Sequence, residues 1–308
     1  MDNTIFIAIA SYLDYEVRFT ILDCIRTAKH PENLRFSVCL QYDDNVKTSK
    51  NCIDDLTDFY NIQITKFPYQ ESKGGCWARQ IAQSKYNGEK YSLQVDSHTR
   101  FIQDWDEILI RDYEALASTG IKPLLSFLPP PYHRDDETGV DHSYRHFADL
   151  DRMNIPKIAS LSAEYWPNYG GYENEINIGF QPKSIILLYG GFIFTDGEWV
   201  VNVEQDPEHY YTGEEFALAI RSYTHGYDMY TPSQIVAWHR THNSVPKKHY
   251  NTAPNEEANT RHRTAIGRLR MLIEGGDLGK YGLGNQRTLQ QFADFAGIDF
   301  INKKLVNV

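Results

Sequence analysis

The chain has 308 residues, 41% of them hydrophobic, and a formal net charge of −10 at pH 7; it is long enough to bury one large α/β core or two small ones. Its acidity disfavours a nucleic-acid partner or an anionic membrane surface, so an anionic ligand needs local help from a cation or a few placed Arg and Lys. No apolar stretch approaches the ~18 residues that span a bilayer, and Met1-Asp-Asn-Thr enters a strand-like run with no signal peptide, so the expectation is a cytoplasmic protein without integral membrane contact.

Ile5-Phe-Ile-Ala-Ile-Ala10 is a continuous apolar run of strand length, tipped by Ser11 and Tyr12. Asp14 offers an N-cap to a helix whose Val17, Ile21, Cys24 and Ala28 share one face, and Pro31 stops it. Phe36-Ser-Val-Cys-Leu40 is the second strand, ending in Gln41-Tyr42-Asp43-Asp44. A polar helix is expected near 52–60, a third strand over 62–66, and a helix carrying Trp77, Ala78, Ile81 and Ala82 after the Gly74-Gly75 break. Tyr91-Ser-Leu-Gln-Val95 is the fourth strand and delivers Asp96. Such alternation implies a parallel sheet with helices on both faces. The apolar strands say that the sheet is buried. Ligands of such sheets bind beyond the carboxyl ends of the strands, where Ser11, Asp43 and Asp96 lie.

Asp104-Trp-Asp-Glu107 reads as a capped helix start, and Pro123-Leu-Leu-Ser-Phe127 as a fifth strand. Residues 132–172 hold His133, His142, His146, Tyr165, Trp166, Tyr169 and Gly170-Gly171 without periodicity, so an irregular functional loop is expected. Gly190-Gly191-Phe192 begins another strand. Thr212-Gly-Glu-Glu215 opens a helix with Phe216, Ala219, Ile220 and Tyr223 on one stripe. A strand is expected over 230–237, with Trp238-His239-Arg240 at its end, then a helix around 263–273 and a Gly-rich tail. Neither repeats nor a domain boundary are evident. The expected organisation is a catalytic domain over 1–250, an acceptor-side insertion at 132–172, and a tail over 251–308 packed on the same domain.

Asp96-Ser-His98 is the most informative motif. In an extended chain, positions i and i+2 point the same way, so both side chains can converge on one divalent cation. Alone, the motif equally describes an acid capping a turn beside an exposed His. Its context is Gly190-Gly191-Phe192, Gly213-Glu214-Glu215 and a late strand-end His239. That order is similar to the polypeptide N-acetylgalactosaminyltransferases of the GT-A fold. Tyr281-Gly-Leu-Gly-Asn-Gln-Arg287 and Phe295-Ala-Gly-Ile-Asp299-Phe300 resemble the end of the cytoplasmic hydroxyproline-polypeptide N-acetylglucosaminyltransferases and their bacterial relatives. The resemblance spans roughly residues 4–300. It implies a GT-A fold: one Rossmann-like α/β domain whose central sheet is mostly parallel. It further implies a UDP-sugar donor, most simply UDP-GlcNAc, a bound Mn²⁺ or Mg²⁺, a hydroxyl acceptor on a protein or glycan, and retention of anomeric configuration.

On that resemblance Asp96, His98 and His239 are the metal ligands. Two imidazoles, a carboxylate, two phosphate oxygens and a water make six positions, which suits Mn²⁺ better than zinc. The plain alternative for His239 is a strand-end ring beside Trp238, and His242 is the alternative ligand. Glu214 is assigned to sugar binding or acceptor deprotonation, against a first-turn acid favoured by the helix dipole. Glu215 fits a capping box with Thr212. Arg79 suits phosphate or uracil, Gln41 or Asp43 the nucleobase, and Ser11 and Tyr12 the uridine. Tyr165, Trp166 and Tyr169 are acceptor-platform candidates, with Gly191 and Phe192 on the same side. Two other functions use the same residues. One is a zinc hydrolase with an open water position, although H-E-x-x-H is missing. The other is a non-catalytic sugar-nucleotide or glycan-binding module.

Overall fold

The structure, a computed structural model, describes residues 3–46, 49–134, 141–142, 153–175, 181–211, 213–240 and 248–306. Its first part comprises β1 (Ile5–Tyr12), α1 (Glu16–Thr27), β2 (Leu34–Tyr42), β3 (Ile62–Pro68), α2 (Gly75–Gln83), β4 (Tyr91–Asp96), β5 (Thr99–Phe101) and α3 (Trp105–Ala117). There follow β6 (Lys122–Ser126), β7 (Pro131–Arg134), β8 (Asp141–His142), β9 (Met153–Leu161), β10 (Pro167–Glu175) and β11 (Phe192–Asp196). The last part holds α4 (Trp199–Asn202), α5 (Glu214–Thr224), β12 (Tyr227–Tyr230), β13 (Ala237–Arg240), α6 (His249–Thr252), α7 (Asn255–Glu274), α8 (Leu289–Ala296), β14 (Ile298–Asp299) and β15 (Lys304–Leu305).

Seven strands form the central sheet in the order β12-β6-β11-β4-β1-β2-β3. β1 pairs in parallel with β2 and β4, β2 with β3, and β6 with β12, while β11 runs antiparallel to β4 and β6. Ile5, Ile7 and Ile9 of β1 pack with Val17 and Ile21 of α1, whereas Phe6 and Ala8 share the opposite core with Ala78 and Ala82 of α2. Burial on both faces is why β1 reads as an uninterrupted apolar run. Each large side chain so buried contributes about 1.5–3 kcal/mol. A smaller sheet, β5-β13-β7-β8, stands beyond the end of β4.

Several elements differ from expectation. The strand expected over 230–237 is a connection: β12 ends at Tyr230 and β13 starts at Ala237, and Pro232 between them lacks the N–H a ladder requires. The polar helix near 52–60 is a short 3₁₀ turn, Asp54–Asp58, anchored by buried Leu56. The described part of the 132–172 insertion is not irregular: β9 and β10 pair as an antiparallel hairpin. His146 lies outside the described residues. α7 starts well before residue 263, since its first turns are solvated and carry no apolar stripe. The C-terminal helices lie against α5, with the Phe216 and Phe292 rings 6.0 Å apart and Gly213 close to Leu269. Among the described residues no helix is long and apolar enough to cross a membrane.

Candidate active site

β4 ends at Asp96, and the chain turns through Ser97 and His98 directly into β5. His239 arrives on β13, opposite Thr99, and the Arg240 N–H donates to the His98 carbonyl at 3.0 Å. Ligating atoms of Asp96, His98 and His239 all lie within 4.8 Å of one another. The two imidazoles meet edge to face, centroids 4.5 Å apart. Behind them, Asp14 Oδ2 accepts from His98 Nδ1 at 2.7 Å and from Ser97 Oγ at 2.6 Å. This contact fixes the ring and leaves Nε2 for a ligand, as a carboxylate behind a metal-binding His does. The N-cap of α1 is Tyr15, one residue later than expected; Asp14 Oδ1 still accepts from the Glu16 N–H at 2.9 Å, so the same carboxylate braces the helix start and orients the site.

The charges suit a cation. Burial disfavours the charged ring of His239 and lowers its pKa despite the 3.1 Å contact with Asp96, so a neutral lone pair is on offer. At His98 burial works the same way, but the Asp14 hydrogen bond and charge outweigh it and raise the pKa. Burial would push Asp96 upward, yet the Arg79 guanidinium and His239 hold its carboxyl well below the usual range. One ionised carboxylate and two imidazoles, one of them positioned by a second carboxylate, fit a first-row divalent cation.

Arg79, on α2, spans the site. Its Nη2 donates to Asp96 Oδ1 at 2.9 Å and its Nη1 to Glu214 Oε1 at 2.5 Å. The Cys76 thiol donates to the other Glu214 oxygen. Glu215 is treated differently. Its Oε1 accepts from the Gly190 N–H at 2.8 Å, and among the described residues no basic side chain pairs with it. Burial, then the neighbouring charge of Glu214, pushes its carboxyl up to about 7. The N-cap of α5 is Gly213, so Glu215 is the second helical residue, not the third that a capping box needs; Thr212 lies outside the described residues. Gly190 and Gly191 make room for these groups. A Cβ at Gly190 would stand 2.9 Å from Arg79 Nη1, and one at Gly191 2.7 Å from Asp96 Oδ2.

Asp14, Arg79, Asp96, His98, Glu214, Glu215 and His239 line one cavity of about 630 Å³, together with Tyr12, Gln41 and Lys248, a size that accommodates a drug-sized ligand. The Gln41 amide is committed to the wall, donating to the Ser11 carbonyl at 3.1 Å and accepting from Ser72 Oγ. The Tyr12 ring packs on His249, centroids 5.7 Å apart. Other sequence candidates fall elsewhere. Ser11 is fully buried and donates to the Asp14 carbonyl at 2.9 Å, supporting the turn beneath the site. Asp43 caps its own turn, accepting from the Asn45 N–H at 2.9 Å, and borders a separate hollow. Phe192 is core, its ring 4.8 Å from that of Phe127. Tyr165 donates to Glu274 at 3.1 Å, and Trp166 lies beside His262, 5.8 Å between centroids, because the turn of the β9–β10 hairpin folds back on the C-terminal elements. Tyr169 borders a second, smaller cavity. His242 lies outside the described residues.

A family model described as Glycosyltransferase (GlcNAc) matches residues 48–302. The chain belongs to this glycosyltransferase family. No curated protein matches the sequence. Among solved structures, that of GalNAc-T7 with UDP, GalNAc and Mn²⁺ is similar over 95% of this chain, with 12% identity and a TM-score of 0.57. The chain spans 55% of that protein's length, and the likeness shows a shared GT-A fold. S. aureus TarS 1-349 is also similar, in complex with UDP (11% identity, TM-score 0.49, 96% of this chain and 71% of that one) and with UDP-GlcNAc (12%, 0.49, 96% and 72%).

In this glycosyltransferase several cavity residues carried no readable signal. Asp14 looked like a helix cap and nothing more. Tyr189, Tyr211, Lys248, His249 and Tyr250 also line the cavity. Lys248 Nζ lies 5.9 Å from the ring centroids of both Tyr211 and Tyr250. A basic-aromatic run, Lys248-His249-Tyr250, was the available hint, but it sits in a polar stretch with no periodicity to place it.

Proposed function

We propose that this glycosyltransferase moves N-acetylglucosamine from UDP-GlcNAc to a hydroxyl of a protein or glycan acceptor, with Mn²⁺ or Mg²⁺ held by Asp96, His98 and His239. The convergence of these three ligands at the carboxyl end of β4, in the cavity that holds Glu214 and Glu215, carries the proposal. The family description names GlcNAc, and the GalNAc-T7 structure holds UDP and Mn²⁺. A cation bound there would neutralise the charge that develops on the diphosphate leaving group.

The chain's own residues divide the remaining work. Arg79 fixes Asp96 and Glu214 relative to each other, so the metal end and the sugar end keep one geometry. Lys248, beside the aromatic rings of Tyr211 and Tyr250, supplies positive charge toward the diphosphate. Glu214, clamped at both oxygens, accepts from a donor-sugar hydroxyl. Glu215 accepts from the acceptor hydroxyl and orients it, and its protonation near neutrality switches that contact off. Retention is part of the proposal: the acceptor oxygen bonds to C1 on the face from which UDP departs, and its proton passes to the departing phosphate oxygen. A hydroxyproline-type protein acceptor and a cytoplasmic location complete the reading, both resting on resemblance.

UDP release measured across UDP-GlcNAc, UDP-GalNAc and UDP-glucose, with and without Mn²⁺, tests this. The expected result is highest turnover with UDP-GlcNAc, loss on chelation and recovery on adding Mn²⁺, with an α-anomeric product by NMR. Metal-independent turnover would remove the three-ligand site from the mechanism.

A further inference from the structure

We infer that the β9–β10 hairpin and the segment preceding β11 form an acceptor pocket for a hydroxyl carried on a ring-bearing, largely apolar body; the inference rests on the proposed sugar transfer. A second cavity of about 210 Å³ adjoins the donor cavity, and the two share Tyr189 and Glu215 in their walls. Ile155 and Pro156 of β9 line one side, Ile186 and Leu188 the other. Tyr169 and Tyr172 border it, and both remain half exposed, at 50% and 55%.

Both tyrosines reach this cavity because of a defect in the hairpin. Three positions apart, they would face opposite sides of a regular strand. Tyr169 pairs with Ile158 and Tyr172 with Pro156, so β10 carries one more residue than β9 across this interval. Such a bulge re-aims a side chain. Gly170 and Gly171 permit it: Gly171 has φ +103°, and a Cβ at Gly170 would stand 2.6 Å from the Ala159 Cβ.

The chemistry of the walls selects the occupant. Ser126 Oγ already donates to the Phe192 carbonyl at 2.8 Å, and Thr231 Oγ1 accepts from the Lys183 N–H at 3.1 Å. Apart from the shared Tyr189 and Glu215, the other polar side chains of the lining, Asn154, Tyr169 and Tyr172, stand at its exposed rim. A polyhydroxylated body seated against Ile155, Ile186 and Leu188 would therefore leave inner hydroxyls without partners, which is costly, whereas an apolar ring loses little there. The volume accepts one six-membered ring. With the ring seated, its attached hydroxyl stands at the junction, where Glu215 accepts its proton in a hydrogen bond and the donor C1 lies on the far side. In the transfer the acceptor O–C1 bond forms, the C1–O bond to UDP breaks, and the proton leaves with the phosphate oxygen.

The test compares phenylmethanol with ethanol as acceptor probes, each with a single hydroxyl, using UDP-GlcNAc and Mn²⁺. The wild type should prefer the phenyl probe in kcat/KM by about tenfold or more, the scale on which a pocket reads an apolar group. Ile155→Trp, which fills the cavity, and Tyr172→Ala, which opens its exposed edge and threatens no core, should each erase most of that preference. UDP binding by titration calorimetry in the same variants shows that the donor side is intact. Equal kcat/KM for the two probes, or a preference unchanged in both variants, overturns the pocket. UDP release from UDP-GlcNAc with no transfer to the phenyl probe also overturns the pocket and leaves the donor reading standing. Absence of UDP release in every reaction overturns the transfer reading and the pocket with it.

Discussion

The two ends of the donor cavity are built on opposite plans. At the end proposed to hold a metal each candidate ligand is held by something else: His98 by Asp14, Asp96 by Arg79, and His239 by the pairing of β13 with β5. At the sugar end Glu214 is clamped by Arg79 and Cys76, while Glu215, the next residue, receives one backbone N–H and has a carboxyl raised to about 7. The first plan fixes charge in place. The second leaves one proton free to come and go, next to where an acceptor would sit. Neighbouring residues at one helix start thus serve different physical ends, and burial with or without a cation partner makes the difference.

The comparison can be broken at either end. The largest effect is expected at the metal ligands. Asp96→Ala, His98→Ala and His239→Ala should each lower UDP release by about 10³-fold or more, as loss of charge stabilisation at a leaving group does, while thermal unfolding stays cooperative. Full activity in any one would remove that residue from the site. Next comes Glu215→Gln, expected to cost about 10²-fold, the scale of misplacing a reacting group, here the acceptor hydroxyl that the carboxylate orients. The wild-type rate should rise with pH through about 7 as Glu215 ionises, and the Gln variant should lose that rise. Stability runs the other way. The folded carboxyl holds its proton above the ordinary Glu value of about 4.3, so stability falls as pH climbs from there to about 7, and Glu215→Gln flattens that slope in denaturant titrations. Asp14→Asn should weaken Mn²⁺ binding about 10–100-fold, the usual cost of removing a carboxylate behind a metal-binding His. Calorimetry with Mn²⁺ and UDP would read it. Smallest of all, Ser11→Ala removes one buried hydroxyl bond to the Asp14 carbonyl and should cost about 1 kcal/mol of stability by denaturant melt, with UDP affinity unchanged.

The parallel half of the fold was legible because β1, β2 and β4 are buried on both faces, and that constraint writes continuous apolar runs into the sequence. Asp96 and His98 were legible for a local reason, since two residues on an extended chain need no knowledge of the rest. Glu214 and Glu215 were found as a pair, but Glu215 was read from a capping pattern that the helix does not use, and Glu214 from resemblance alone. Their environments depend on Arg79 and Gly190, which are remote in sequence and carry no periodicity. Asp14 was misread for the same reason: one of its oxygens does what the local pattern says, and the other answers to His98. Of the three aromatic residues read as an acceptor platform, Tyr169 borders the smaller cavity, whereas Tyr165 and Trp166 at the hairpin turn pack on Glu274 and His262, contacts with a distant helix that no local pattern announces.

Asp96 and His239 stand 143 positions apart along the chain and meet through a short strand pairing. Contacts of such long separation carry a high loop-closure cost and form late in folding. A nascent chain that has emerged as far as β11 can already zip up β1 to β4, yet it holds two of the three ligands and no partner strand for β5. If the three side chains hold a cation as proposed, full cation affinity would require that the second sheet has closed.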